Sequence, residues 1–314
     1  MNGPGPVRLG LAGAGRWGRN FIRTIYRLPG LELVALASSN PVAQDLAGPG
    51  CRVFACWPDM LEQADMHGVI VATPPHVHVE IALAALRRGI GVLIEKPLCL
   101  DPAEAGTLLA EARTLDLPVL VDHIHLRHPA YVELKRLAHA MGPIRGLRGR
   151  AGAWGPFRTD TDVLWDWGPH DIAMFLDLGE AEPTSMRARV LEALQDAPGP
   201  HAQRLALTLE FSGGLAAETV VGNIEADKIR RLEVDVSGGR LVYDDQADDK
   251  LIFVAEGEGT AVLSHPPVQP LDVVVQAFAA ALAAERRDIE DLELGAKVVW
   301  VLHALDADLR SRGR

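Results

Sequence analysis

Cysteine is scarce: three of 314 residues, at 51, 56 and 99, with no CxxC pair and no metal-like spacing. That excludes a disulfide framework and a cysteine-built zinc site, and it points to reduced thiols in a reducing compartment. Basic residues are also in deficit, and the formal net charge is -11. A general nucleic-acid binder needs a basic footprint, and an anionic membrane surface attracts one, so neither partner is expected. No apolar window is long enough to span a bilayer. Internal repeats and long low-complexity tracts are missing too. Residues 1–6 read as a short flexible lead without the basic and apolar regions of a signal peptide, so the expected location is the cytoplasm.

What is present is ordinary globular composition, 48% hydrophobic and 23% charged, in a length that suits two domains. The boundary is placed at 1–122 and 123–314. The first part alternates strand and helix. Val7–Ala12 is a strand, Gly13-Ala14-Gly15-Arg16-Trp17-Gly18 follows it, and a helical pattern runs to about Leu28. Strand, GxGxxG, helix is the arrangement that binds a dinucleotide. The first glycine permits the tight turn, the second lets a pyrophosphate approach the backbone, and the third lets helix and strand pack closely. Unpaired N–H groups at the helix start then face the anion. Further strands are predicted at 32–37, 52–55, 68–72, 90–94 and 118–122, with helices between them. This is the pattern of a doubly wound parallel sheet, a Rossmann fold.

The second strand ends in Ser38-Ser39-Asn40. An acidic residue there holds the ribose 2′-OH of NAD, and none is present. Two hydroxyls and an amide suit a 2′-phosphate, which leans the cofactor to NADP over NAD. No arginine stands in this turn to support the lean, and the same residues make a good turn on their own account.

Gly89-Ile-Gly-Val-Leu-Ile-Glu95-Lys96-Pro97 is a buried-strand pattern that runs into a charged pair and a proline. Glu95 and Lys96 then fall on the C-terminal edge of the sheet, where open α/β sheets bind ligands. Glu95 is expected to brace the turn, and the Lys96–Pro97 bond is expected to be cis. His76, His78, His123, His125 and His128 are read as lining the cleft rim or satisfying loop backbone. No carboxylate or cysteine stands at a recognised metal spacing, so no metal is expected.

In the second part, a strand over 144–154 leads through a loop to a helix over 163–178. Asp166 and His170 are four apart and share a face of that helix. A histidine so placed can take a hydroxyl proton, and a nearby carboxylate can orient it or the substrate. Asp171 is read as either behind the site or on the helix surface, and Trp165 and Trp167 as core. Strands near 185–194, 204–211, 215–221, 231–236 and 240–243 suggest an open, mostly antiparallel sheet with helices on one face. Asp244–Asp249 is read as a solvated acidic loop. Helices over 271–284 and 292–309 close the chain.

Four pieces occur in one order: Gly13-Ala-Gly15-Arg-Trp-Gly18, Ala72-Thr73-Pro74-Pro75 with His78, Glu95-Lys96-Pro97, and His128-Pro-Ala-Tyr131. Together they resemble the glucose–fructose oxidoreductase, inositol dehydrogenase and rhizopine-catabolism family, Gfo/Idh/MocA. Asp166-Trp-Gly168-Pro-His170 matches its Asp-x-Gly-x-His pattern. The resemblance implies an NAD(P)-dependent dehydrogenase or reductase acting on a carbinol or carbonyl of a sugar, cyclitol or nucleotide-linked sugar. It implies cofactor contacts from the glycine loop, Ser38, Ser39, Thr73, Pro74, His78, Glu95 and Lys96. Lys96 lies beside the nicotinamide and the carbinol in such proteins, with Asp166 and His170 completing the catalytic set. It implies a homodimer or homotetramer paired through the open sheet face. This chain departs from the pattern at Leu126-Arg127, where many members carry Arg-Phe. It also has Asp160-Thr-Asp162-Val-Leu-Trp165 where many have glycines, a change expected to reshape the sugar pocket. Two rivals stand beside this reading. One is an enzyme that cleaves glycosides with the help of a bound NAD. The other is a non-catalytic nucleotide-binding regulator on the same fold, against which the retention of Lys96, Asp166 and His170 argues.

Overall fold

The computed structural model describes residues 5–159, 161–195, 201–257, 259–284 and 287–312. The start of the lead, residues 1–4, and Asp160 of the pocket loop lie outside the described residues. The chain forms two compact units, Met1–Ile124 with Gln269–Val299, and His125–Val268 with Trp300–Arg314.

The first unit opens with β1 (Val7–Ala12), α1 (Arg16–Arg27), β2 (Leu31–Ala37), α2 (Ala43–Leu46), β3 (Arg52–Phe54) and α3 (Trp57–Gln63). It continues through β4 (Gly68–Val71), α4 (His78–Leu86), β5 (Gly91–Glu95), α5 (Pro102–Ala112) and β6 (Val119–Asp122). The six strands form one sheet in the order β3-β2-β1-β4-β5-β6, and every pairing is parallel. Every residue of β4, β5 and β6 is buried, as expected of strands covered on both faces. The chain winds outward from β1 to β3, then restarts at β4 on the other side of β1. The crevice at the C-terminal ends of β1 and β4 is therefore the topological switch point.

Glycine is required at the first turn. Gly13 has φ +101, and a Cβ on it would collide with the Ala72 carbonyl at the end of β4. A Cβ on Gly18 would meet the Gly13 carbonyl. The turn thus closes tightly enough for α1 to lie against the sheet. Further on, α5 begins as a capped helix, with the Ala103 N–H donating to Asp101 Oδ1 (2.8 Å) and Pro102 in its first turn.

The second unit holds α6 (Pro129–Ala140), β7 (Gly146–Trp154), α7 (Val163–Gly179), β8 (Pro183–Ala193), β9 (Gln203–Phe211), β10 (Ala216–Gly222), β11 (Ile224–Val236), β12 (Gly239–Asp244), β13 (Leu251–Ala255) and β14 (Thr260–Val262). Its eight strands run β14-β13-β12-β11-β7-β10-β9-β8. All pairs are antiparallel except β7 with β10. Leu205, Leu207, Leu209, Leu232, Val234, Leu241 and Tyr243 are fully buried, at alternate positions of their strands. The other face carries ion pairs, such as Arg148 with Asp235 and Arg240 with Glu233. Alternation of this kind marks a sheet packed on one side only.

The sequence pattern does not anticipate α6, β13 or β14. The two strands are five and three residues long, too short for a period to declare itself. Two helices end the chain, α8 (Pro270–Ala283) and α9 (Glu290–Ser311). Helix α8 packs in the first unit, where Leu271, Val274, Val275 and Phe278 join the core beside Leu9, Leu11 and Ile25. Helix α9 belongs to the first unit up to Val299 and to the second from Trp300. No described helix is long and apolar enough to cross a membrane.

The docking of α8 has a test. A Cβ on Gly68 would lie 2.7 Å from both Phe278 Cζ and Leu282 Cδ1. Gly68→Ala is expected to lower the unfolding free energy by about 1–3 kcal/mol through overpacking. Urea unfolding measures this, and an unchanged midpoint would place α8 elsewhere.

Candidate active site

The ligand edge of the first unit is built from three strand ends. After β1, Gly15 is the N-cap of α1 and has extended backbone, without a side-chain cap. Gly15 and Arg16 are exposed, Trp17 is half-buried and Ala14 is buried. A Cβ on Gly15 would meet nothing within 4 Å. The backbone is thus bare where a pyrophosphate approaches, and the N–H groups at the start of α1 point there, so the loop fits a dinucleotide. After β2, Ser38 Oγ accepts the Asn40 N–H (3.1 Å) and Asn40 Oδ1 accepts the Val42 N–H (3.2 Å), while Ser39 is exposed.

After β4 and β5 the loops are tied by His78, which is 1% exposed. Its Nε2 lies 2.8 Å from the Thr73 carbonyl and its Nδ1 3.0 Å from the Pro97 carbonyl. Burial holds its pKa below the ordinary value, so the ring has one proton to donate to the two oxygens. Pro74 is exposed and Thr73 half-buried. Glu95 and Asp122 are direct partners in the β5–β6 register, and both are buried. Burial, and then the Asp122 charge, raises the Glu95 pKa well above the usual carboxylate range, while Lys96 opposes the shift. Glu95 Oε2 accepts the Lys96 N–H (3.0 Å), bracing the turn that carries the lysine. The Lys96–Pro97 bond is cis, as the sequence reading expects, and so is Gly155–Pro156. His123, next to Asp122, is buried with a pKa pushed down to about 4 by burial and then by Lys96.

In the second unit, Asp166 and His170 sit one turn apart near the start of α7. The helix is capped by Asp162, whose Oδ1 accepts the Trp165 N–H (3.2 Å). Arg158 Nη1 lies 3.9 Å from Asp166. His170 is 8% exposed, and the His125 ring meets it edge to face, with centroids 4.8 Å apart at 88°. Asp171 is fully buried, not on the helix surface. Thr219 Oγ1 and Arg230 Nη1 each donate to it at 2.8 Å, and the Arg230 guanidinium lies over the Trp167 ring. Trp165 is core as expected, and Trp167 is half-buried.

The acidic loop is exposed at Gln246, Asp248 and Asp249, as expected of it, but not at Asp245. Asp245 is largely buried, and burial raises its pKa, with Lys250, Lys228 and Arg230 opposing. Its Oδ1 lies 3.6 Å from His128 Nε2. His128 caps α6 through Nδ1, which accepts the Ala130 N–H (3.1 Å). Burial pushes the His128 pKa down to about 4, with Lys250 and His265 adding to the effect, so the ring is neutral beside Asp245.

Sequence reasoning missed Tyr243 and Arg230. Arg230 had a signal: it shares parity with Leu232, Val234 and Val236, so it faces inward on β11. His125 had only its place in a histidine-rich turn.

A glycine-looped parallel sheet, joined in one chain to a sheet unit that bears an Asp-x-Gly-x-His helix, defines a nicotinamide-dependent dehydrogenase. Comparison with known proteins agrees. The family described as "Oxidoreductase family, NAD-binding Rossmann fold" (Gfo/Idh/MocA) matches residues 7–123. The UDP-N-acetylglucosamine 3-dehydrogenase of Acidithiobacillus ferrooxidans is 29% identical over 283 residues, 90% of this chain and 87% of that one. Inositol 2-dehydrogenase 4 of Saccharopolyspora erythraea is 30% identical over 219 residues, 67% of this chain and 64% of that one. The crystal structure of a candidate oxidoreductase from Magnetospirillum magnetotacticum superposes with a TM-score of 0.88. It is 42% identical, covering 96% of this chain and 99% of that one. The chain belongs to the Gfo/Idh/MocA family and is an NAD(P)-dependent oxidoreductase acting on CH-OH groups.

The neutral His128 has a consequence for stability. Its folded pKa of about 4 lies below the ordinary 6.5, so the unfolded chain binds the proton first. Stability is whole above about pH 6.5 and is lost as pH falls toward 4. A His128→Asn variant keeps a capping acceptor and should lose on the order of 1 kcal/mol less stability than wild type between pH 7 and 5. Melting at the two pH values measures it, and equal losses would contradict a neutral cap.

Proposed function

We propose that the protein transfers a hydride between a nicotinamide cofactor and a ring carbinol or carbonyl of a sugar, cyclitol or nucleotide-linked sugar. The observation that carries this reading is Asp166 and His170 on one face of α7, in a chain whose strand β5 ends in Glu95-Lys96-Pro97. The names of the relatives span this substrate range: one acts on a nucleotide-linked sugar, another on inositol.

The cofactor, when bound, supplies the hydride acceptor or donor. The chain's own residues do the rest. The amides at the start of α1 and the bare backbone at Gly13, Ala14 and Gly15 hold the pyrophosphate, with Arg16, Trp17 and Gly18 forming the first turn behind them. Ser38 and Ser39 face the ribose, and the missing carboxylate after β2 favours NADP. Thr73 and Pro74 line the cofactor edge. His78 acts through the loops it ties, and Glu95 through the turn it braces. Lys96 polarises the substrate oxygen and relays its proton, His170 is the acid–base group, and Asp166 orients the substrate or the imidazole. The open sheet face pairs subunits into a dimer or tetramer, and the protein works in the cytoplasm.

Lys96→Met tests the assignment. Turnover of a polyol or sugar that wild type accepts, followed by nicotinamide absorbance, should fall at least about 100-fold. Unchanged turnover would remove Lys96 from the chemistry.

A further inference from the structure

We propose that Tyr243 and His125 are a positioning pair for His170: the phenol O–H holds His125 as a neutral imidazole, leaving His170 as the ring that exchanges the substrate proton. The inference rests on the reading of His170 as the acid–base group.

The geometry lies wholly within the second unit. Tyr243, on β12, is 0% exposed, and its hydroxyl lies 2.9 Å from His125 Nδ1. A buried phenol proton needs an acceptor, and among the described residues His125 Nδ1 is the partner that can take it. Were Nδ1 to carry a proton instead, the phenol oxygen would accept it and the phenol's own buried O–H would lose that acceptor. The O–H therefore donates, Nδ1 accepts, and the His125 proton sits on Nε2. Burial, with Asp245 adding to it, raises the Tyr243 pKa well above the ordinary phenol range, so the donor is permanent.

The same hydrogen bond disfavours a second proton on His125, because an imidazolium would turn Nδ1 into a competing donor. His125 is in turn edge to face with His170 at 4.8 Å. Two cationic rings at that separation repel strongly, so only one of them can take up the proton. Tyr243 decides which. The surroundings keep Tyr243 in place. His128 packs on its ring at 5.0 Å from the start of α6, and Tyr131 of α6 at 6.3 Å. The charged groups near the cluster are Arg230 of β11, Asp244 and Asp245 at the end of β12, Lys250 before β13, and Asp166 and Asp171 on α7 itself.

The test is a double-mutant cycle on the full chain with Tyr243→Phe, His125→Phe and both together, and with His170→Gln as reference. Phe preserves each ring and removes only its hydrogen-bonding atoms. With a wild-type polyol or sugar substrate, Tyr243→Phe should lose kcat about tenfold with KM within about twofold, while His125→Phe, which removes the competing ring, and the double variant should keep kcat within about twofold of wild type. A structural role alone would raise KM or carry the Tyr243→Phe loss into the double variant. Wild-type kcat in Tyr243→Phe, or a double variant as slow as Tyr243→Phe, overturns the pair provided His170→Gln is inactive. Full activity in His170→Gln overturns the His170 reading itself, and the inference with it. If Tyr243→Phe does not fold, the nitrogen NMR shifts of the wild-type His125 ring decide: a bare Nδ1 with the proton on Nε2 supports the pair, and a protonated Nδ1 refutes it.

Discussion

The ends of β4 and β5 are fixed to one another by one buried ring. His78 faces the Thr73 carbonyl on one side and the Pro97 carbonyl on the other, so two loops of a parallel sheet share one side chain. Sheet hydrogen bonds stop where the strands stop, and the backbone beyond them needs other partners. His78 has one proton for the two carbonyls, so without it the one that accepts that proton would lose its donor. The turn that carries Lys96 is held from within as well, by Glu95 and its own following amide. The lysine is therefore presented by a rigid edge, which suits a group that must meet a reacting oxygen closely.

The second unit solves the same problem with charge. Asp171 follows His170 on α7 and is clamped by Thr219 from β10 and Arg230 from β11. Such a buried pair adds little net stability over apolar residues of the same size, but breaking it by removing one partner costs about 3–5 kcal/mol. What it contributes is placement. One face of α7 is pinned to two strands, and the next residue back along the helix is His170. The His125 ring then meets His170 from the turn before α6, and Tyr243 of β12 is hydrogen-bonded to His125.

Much of this was legible in the residues. The apolar runs of β4 to β6 and the glycine turn after β1 mark a parallel sheet and its ligand edge, because full burial and close approach leave direct marks on composition. Asp166 and His170 were legible from their spacing. Other features left no such mark. The pattern of α8 shows an apolar face but not which sheet it covers, and contacts over such sequence distances are not written in any window. Asp171 and Asp245 look like surface acids in sequence, because a carboxylate carries no local sign that an arginine or a wall of side chains will enclose it. Tyr243 shares its alternation with Leu241 and reads as one more core residue. Its hydroxyl gains meaning only when the fold brings His125 beside it.

The glycine loop is the proposed seat of the cofactor, and the roles proposed for the other site residues depend on it. Gly15 has extended backbone and open space around its absent Cβ, so a larger residue can be placed there without disturbing the fold. Fluorescence titration of NADPH and NADH against wild type and Gly15→Val measures the claim directly. Wild type should bind, and the variant should bind at least about tenfold more weakly at an unchanged unfolding midpoint. Equal affinity in the two proteins would contradict the account.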